Sequence, residues 1–141
     1  VIGDGADSEK AKELSIDLKI EEYVKFTGRV EYLDLSYYFT LSDIFMNLTL
    51  GDYRALVGFE ALSQGLPLIY SKYDGAFSEV VIDKMNGFII DPKNIEEITN
   101  SMAYFISNPN EILNLSNKSK EIFKKYSFET ISNNWIQIIN L

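Results

Sequence analysis

The sequence predicts an α/β fold in which helices cover both faces of a parallel sheet. Three observations lead there. Short apolar runs recur at 24–27, 44–48, 68–70 and 88–90, each the length of a strand buried on both sides. Segments of helical period separate them. Apolar residues make up 46% of the 141-residue chain, enough for the core of one domain and too many for disorder. Such β–α–β–α alternation is that of a Rossmann-like, doubly wound sheet.

Each element has its own justification. Val1-Ile2 reads as the tail of a further buried strand and runs into Gly3-Asp4-Gly5. Residues 8–18 place Ala11, Leu14 and Leu18 on one helical face. The strand at 24–27 follows. Residues 31–41 bring Leu33 near Tyr37, and Leu35 near Tyr38 and Phe39, a spacing that reads as core. After the 44–48 strand, residues 55–64 carry Leu56, Phe59 and Leu62, and stop at Gly65, a C-terminal breaker. The last third is helical. Asn94-Ile-Glu-Glu97 has the form of a capping box, and Asn108-Pro109-Asn110-Glu111 repeats it with Pro at the first helical position. Ser127 is placed to cap a final helix, 128–139, with Trp135, Ile138 and Ile139 on its apolar face. No repeat or linker interrupts the chain, so residues 1–141 are expected to form a single domain. The missing initial Met and the strand-like start suggest a fragment of a longer protein.

Composition excludes several chemistries. There is no cysteine and no histidine, so disulfides, thiol catalysis and any Ser-His-Asp triad are absent. With 13 basic and 21 acidic residues the net charge is −8, a poor match for nucleic acid or an anionic membrane surface. No apolar run approaches the roughly 20 residues of a spanning helix, and no signal peptide is visible, so a cytoplasmic location is expected. Gly3 and Gly5 form a weak G-x-G; position 8 is Ser, so the longer dinucleotide-binding pattern is missing.

The most informative stretch is Asp52-Tyr-Arg-Ala-Leu-Val-Gly-Phe-Glu60. Two carboxylates bracket a helix start, whose free N–H groups and positive dipole end suit a diphosphate. The acids on either side suit sugar hydroxyls. In this form, with Asp for the first Glu, the stretch resembles the E-x7-E region of retaining nucleotide-sugar glycosyltransferases of family 4. Other phrases match that family in order: Val1-Ile-Gly-Asp-Gly5, Val24-Lys-Phe-Thr-Gly-Arg29, Leu35-Ser-Tyr-Tyr38, Ser42-Asp-Ile-Phe45, Phe59-Glu-Ala61, Gly65-Leu-Pro67, Gly75 to Glu79, Asn86-Gly-Phe88, Asp91-Pro92 and Tyr126-Ser-Phe128.

The resemblance implies the C-terminal, donor-binding half of a GT-B enzyme. The acceptor-binding N-terminal half and the first β–α unit would lie upstream. It implies that Glu60 holds the ribose and Asp52 the donor sugar. Backbone groups of Leu56 and Val57 would meet the diphosphate, and Gly28, Arg29 and Val30 would clamp the base. The side chains of Leu56 and Val57 are expected in the core. Arg54 stands where the family has an aromatic residue, and Ala55 where it has Gly. Those two departures bear on the identity of the donor sugar more than on the fold. Arg54 suits a phosphate or an acidic sugar, or simply points outward. Glu79 and Gly75 border the same region, with a structural role the more natural one. No Asp-x-Asp motif occurs, so metal-bridged diphosphate binding has no ligands; no cofactor is expected, with the nucleotide-sugar as substrate. Expected partners are that donor and the N-terminal half of the same protein, the whole compatible with peripheral contact at a membrane. The alternative is a catalytically degenerate accessory or binding module.

Overall fold

A computed structural model describes residues 1–139. Contacts gather the chain into two compact units, the first ending at Tyr38 and the second starting at Phe39.

In the first unit, helix α1 spans Ser8–Asp17. It ends in a left-handed turn: Lys19 has φ 57°, its N–H donates to Ile16 O at 2.8 Å, and the Ile20 N–H donates to Ser15 O at 2.9 Å. Of its residues only Ser15 is buried; Leu14 and Leu18, read onto one helical face, are exposed. The strands expected at Val1-Ile2 and 24–27 do not form. Bonds between main-chain atoms join the two segments, Val1 N to Lys25 O at 2.6 Å, Thr27 N to Val1 O at 3.0 Å and Gly3 N to Gly28 O at 2.9 Å, and the Thr27 hydroxyl adds one to Val1 O at 3.3 Å. Gly3 (φ 124°) and Gly28 (φ 67°) then turn both chains out of the extended path, so the ladder stops after one isolated bridge. Helix α2, Tyr32–Thr40, follows. Tyr37 and Leu33 lie exposed on it, against the expected core role. Its last turn belongs to the second unit, where Phe39 is buried with its ring edge-on to Phe45 at 5.8 Å.

The second unit carries the sheet. Strands β1 (Phe45–Asn47), β2 (Leu68–Ser71) and β3 (Gly87–Ile90) pair in parallel, in the order β1-β2-β3. Met46, Ile69 and Phe88 are in register, as are Asn47, Tyr70 and Ile89. Side chains alternate between faces. Ile69 and Ile90 therefore share one face, where they pack with Phe105 of α5 (Ile95–Ser107) and Leu115 of α6 (Pro109–Phe123). Tyr70 points to the other face, where its ring meets Gly58 of α3 (Leu56–Ser63). Helices thus cover both faces of the sheet. A four-residue helix α4, Phe77–Val80, links β2 to β3. Gly87 is obligatory in β3, because a Cβ there would run into the Leu68 carbonyl.

Local signals set the helix ends. Gly65, with φ 77°, closes α3: its N–H donates to Leu62 O and that of Leu66 to Ala61 O, both at 3.0 Å. Asn94 caps α5, its side chain accepting the N–H groups of Glu96 and Glu97. Glu97 reaches back as expected, but to the Asp91 N–H and the Asn94 side-chain amide. Asn108 differs from expectation. Its amide donates to Tyr104 O at 2.8 Å, closing α5 rather than capping α6. Ser127 caps α7 (Phe128–Ile139), accepting the Thr130 N–H at 3.2 Å. The apolar side chains of α7, Trp135 and Ile138 among them, are exposed.

Candidate functional site

The loop between β1 and α3 is held from below by the loop that follows β2. Asp52 and Asp74 form a parallel bridge: the Asp52 N–H donates to Tyr73 O at 3.4 Å, and the Gly75 N–H to Asp52 O at 2.9 Å. Gly75 permits this approach, since a Cβ there would strike the Tyr53 carbonyl. The Asp52 side chain closes an Asx-turn, its Oδ1 accepting the Arg54 N–H at 3.0 Å. Together these loops line an open cleft of about 420 Å³, with Asp52, Arg54, Lys72, Tyr73 and Glu79 on its walls.

Arg54 is committed to one wall. Its Nε and Nη2 donate to the two Glu79 oxygens at 3.0 and 2.8 Å, and its guanidinium lies 4.4 Å from the centre of the Phe59 ring. That bidentate bond holds the Glu79 carboxyl below the usual carboxylate range. Opposite, Lys72 pairs with Asp91 at 2.8 Å and likewise lowers its pKa. The ammonium groups of Lys72 and Lys93 lie 5.2 and 5.3 Å from the centre of the Tyr73 ring.

The start of α3 is open. Ala55 is its N-cap residue and supplies no side-chain bond, and the N–H groups of Leu56 and Val57 meet no acceptor among the described residues. Leu56, the first residue of α3, is 66% exposed, against its expected place in the core; Val57 is half-buried. Glu60 lies one turn further along, half-buried and outside the lining of the cleft. Its carboxylate makes no hydrogen bond among the described residues. Gly28, Arg29 and Val30 belong to the first unit. There Gly28 O accepts from Gly3 N and Thr27 Oγ1, while Arg29 and Val30 line a groove of about 350 Å³ with Tyr37 and Tyr38.

Sequence reasoning missed the group at the base of the cleft. Asp74, 1% exposed, accepts four hydrogen bonds. Asn47 Nδ2 and the Tyr70 hydroxyl donate to Oδ2 at 3.1 and 3.0 Å; the N–H groups of Ala55 and Ala76 donate to Oδ1 at 3.4 and 2.8 Å. Burial pushes the Tyr70 phenol well above its ordinary pKa. The Asp-Gly pair at 74–75 marks a turn in the sequence; nothing local signals a buried carboxylate.

Residues 1–125 match the family described as Glycosyl transferases group 1. The chain belongs to that family. It is 32% identical over 139 residues to a glycosyltransferase of Haemophilus influenzae named as uncharacterized, covering 99% of this chain and 39% of that protein. It is 33% identical over 125 residues to the alpha-monoglucosyldiacylglycerol synthase of Acholeplasma laidlawii, covering 89% of this chain and 30% of that protein. Anabaena HepE, solved in complex with UDP, superposes with a TM-score of 0.79 at 25% identity, over 99% of this chain and 38% of its own. The fold of this glycosyltransferase domain is that of GT-B enzymes. The chain thus spans about two fifths or less of the length of these relatives. No described helix is long and apolar enough to cross a membrane.

Proposed function

We propose that this chain is the donor-binding part of a retaining hexosyltransferase that uses a UDP- or GDP-sugar without a metal. One observation carries the reading: the open start of α3 lies directly after the Asp52 loop and its cleft. The N–H groups of Leu56 and Val57 offer donors and a positive dipole end to the diphosphate. Asp52 faces the sugar, and Glu60, whose carboxylate has no hydrogen bond among the described residues, serves the ribose. Gly28, Arg29 and Val30 serve the base. The UDP bound to HepE and the glucosyl chemistry in the name of the A. laidlawii relative support a nucleotide-sugar donor and a glycan or lipid-linked acceptor. In retaining transfer the acceptor hydroxyl attacks the face that the diphosphate leaves, and the leaving phosphate takes its proton. Stabilisation of the leaving charge by oriented N–H groups replaces a metal. The acceptor-binding half of the same protein completes the enzyme, at the cytoplasmic face of a membrane where the acceptor is a lipid.

Calorimetric titration of the full-length protein with UDP, GDP and ADP tests this. UDP or GDP should bind, and Glu60→Ala should weaken that binding by about 1–3 kcal/mol through loss of charged hydrogen bonds, with the melting temperature unchanged. Absence of binding to all three nucleotides refutes the proposal. A degenerate accessory module is the second reading. The observation that favours it is the Asx-turn, which already engages one Asp52 oxygen; nucleotide binding without sugar transfer would establish it.

A further inference from the structure

Among the described residues no cation forms an ion pair with the buried Asp74 carboxylate. Its charge is balanced by the four donors alone, an arrangement that only an acceptor-only group satisfies. The orientation of one donor is fixed independently, because Asn47 Oδ1 accepts the Thr49 N–H at 3.3 Å and so turns Nδ2 toward Asp74. The reach of another depends on Gly58. A Cβ there would overlap the Tyr70 hydroxyl and ring, so the glycine in α3 makes room for the phenol that bonds Asp74. One side chain thus ties the ends of β1 and β2 to the start of α3. The backbone on either side of it, at Tyr73 and Gly75, grips Asp52.

We infer that Asp74, with Tyr70 and Asn47, forms a positioning group for sugar transfer: its carboxylate sets the direction of the first turn of α3 through the Ala55 N–H, and its flanking backbone sets the place of the Asp52 carboxylate. The inference rests on the donor-binding role proposed for that helix start and for Asp52. None of the three residues needs to touch the donor.

Asp74→Asn puts an NH2 where Asn47 Nδ2 and the Tyr70 hydroxyl both donate; Tyr70→Phe removes one donor with little change of shape. The Tyr70 hydroxyl can rotate to accept from that NH2, whereas the Asn47 amide, its Oδ1 held by the Thr49 N–H, meets it donor to donor. In the full-length enzyme, at a temperature where every variant is fully folded, Tyr70→Phe and Asp74→Asn should each lower kcat by roughly tenfold, the scale of one hydrogen bond to a charged group. KM for the nucleotide-sugar should move much less. Unchanged kcat in folded Tyr70→Phe overturns the inference. A second readout is independent of activity. In amide NMR spectra, Asp74→Asn should shift the Ala55 and Ala76 resonances and speed hydrogen exchange at Asp52 and Gly75, leaving α5 unaffected. Resonances of residues 52–55 that stay in place overturn the positioning role. A wild type that binds no nucleotide refutes the donor-site reading, while this spectral arm still decides whether Asp74 holds the loop.

Discussion

Asp52 and Glu60 carry the same charge but are engaged differently. Oδ1 of Asp52 accepts the Arg54 N–H, whereas the Glu60 carboxylate is free of hydrogen bonds among the described residues. That difference makes Asp52→Asn a clean experiment. Asn retains the oxygen that closes the Asx-turn and loses the charge that would hold a sugar hydroxyl. In the full-length enzyme it should lower kcat/KM by roughly 1.5–3 kcal/mol, with the affinity for free UDP or GDP nearly unchanged, since neither carries the sugar. Asp52→Glu should retain transfer. Steady-state kinetics beside nucleotide titration reads both; full activity of Asp52→Asn would leave Asp52 as a turn residue. Arg54 is engaged within the protein as well. Its Nε and Nη2 donate to Glu79 and its guanidinium lies over the Phe59 ring, so a donor phosphate would meet it as one half of an ion pair.

Among the elements, α3 matters most, because it joins the cleft to the core. Ala61 and Leu62 bury its inner face, Gly58 presses on Tyr70, and Gly65 turns the chain into β2. Gly58→Ala should destabilise the protein by about 1–3 kcal/mol, the usual penalty for overpacking, because the new methyl meets the buried Tyr70 ring. Urea unfolding measures it; an unchanged midpoint would mean that the ring yields freely. Asn94→Ala removes the cap of α5 and should cost about 1 kcal/mol, read in the same way. Helix α7 forms where its cap and periodicity predict, yet buries none of its residues. Periodicity specifies a helix with an apolar stripe; what covers the stripe is a separate matter.

At the scale of the whole molecule, charge dominates. The net charge is −8, and three carboxylates, Glu79, Asp91 and Glu121, are held below the usual range by hydrogen bonds from Arg54, Lys72 and Lys118. A carboxylate whose pKa is lowered by folding stabilises the fold above its unfolded pKa and loses that contribution as pH falls through the folded value. The stability difference between wild type and Arg54→Ala should therefore be present at neutral pH and shrink below about pH 4, the ordinary carboxylate range. Urea unfolding at both pH values checks the sign; a difference that grew on acidification would contradict the Arg54–Glu79 pairing in solution.

What the sequence determined by itself is what short-range chemistry specifies. Apolar runs located β1, β2 and β3; Gly65, Asn94 and Ser127 located helix ends through bonds to neighbours a few residues away. The order of the family's phrases pointed to the group 1 glycosyltransferases, and the match over residues 1–125 agrees. The tertiary structure decided whatever depends on residues distant in the chain. The apolar run at 24–27 has strand composition but joins only residues 1–3, and glycines with positive φ end the ladder. Asn108 contains the atoms of an N-cap, but its amide found Tyr104 O instead. Asp74 reads as a turn residue, yet it sits buried under donors from positions 47, 55, 70 and 76. A buried carboxylate is stable only where several donors converge, and convergence is set by how β1, β2 and α3 pack rather than by any stretch of sequence.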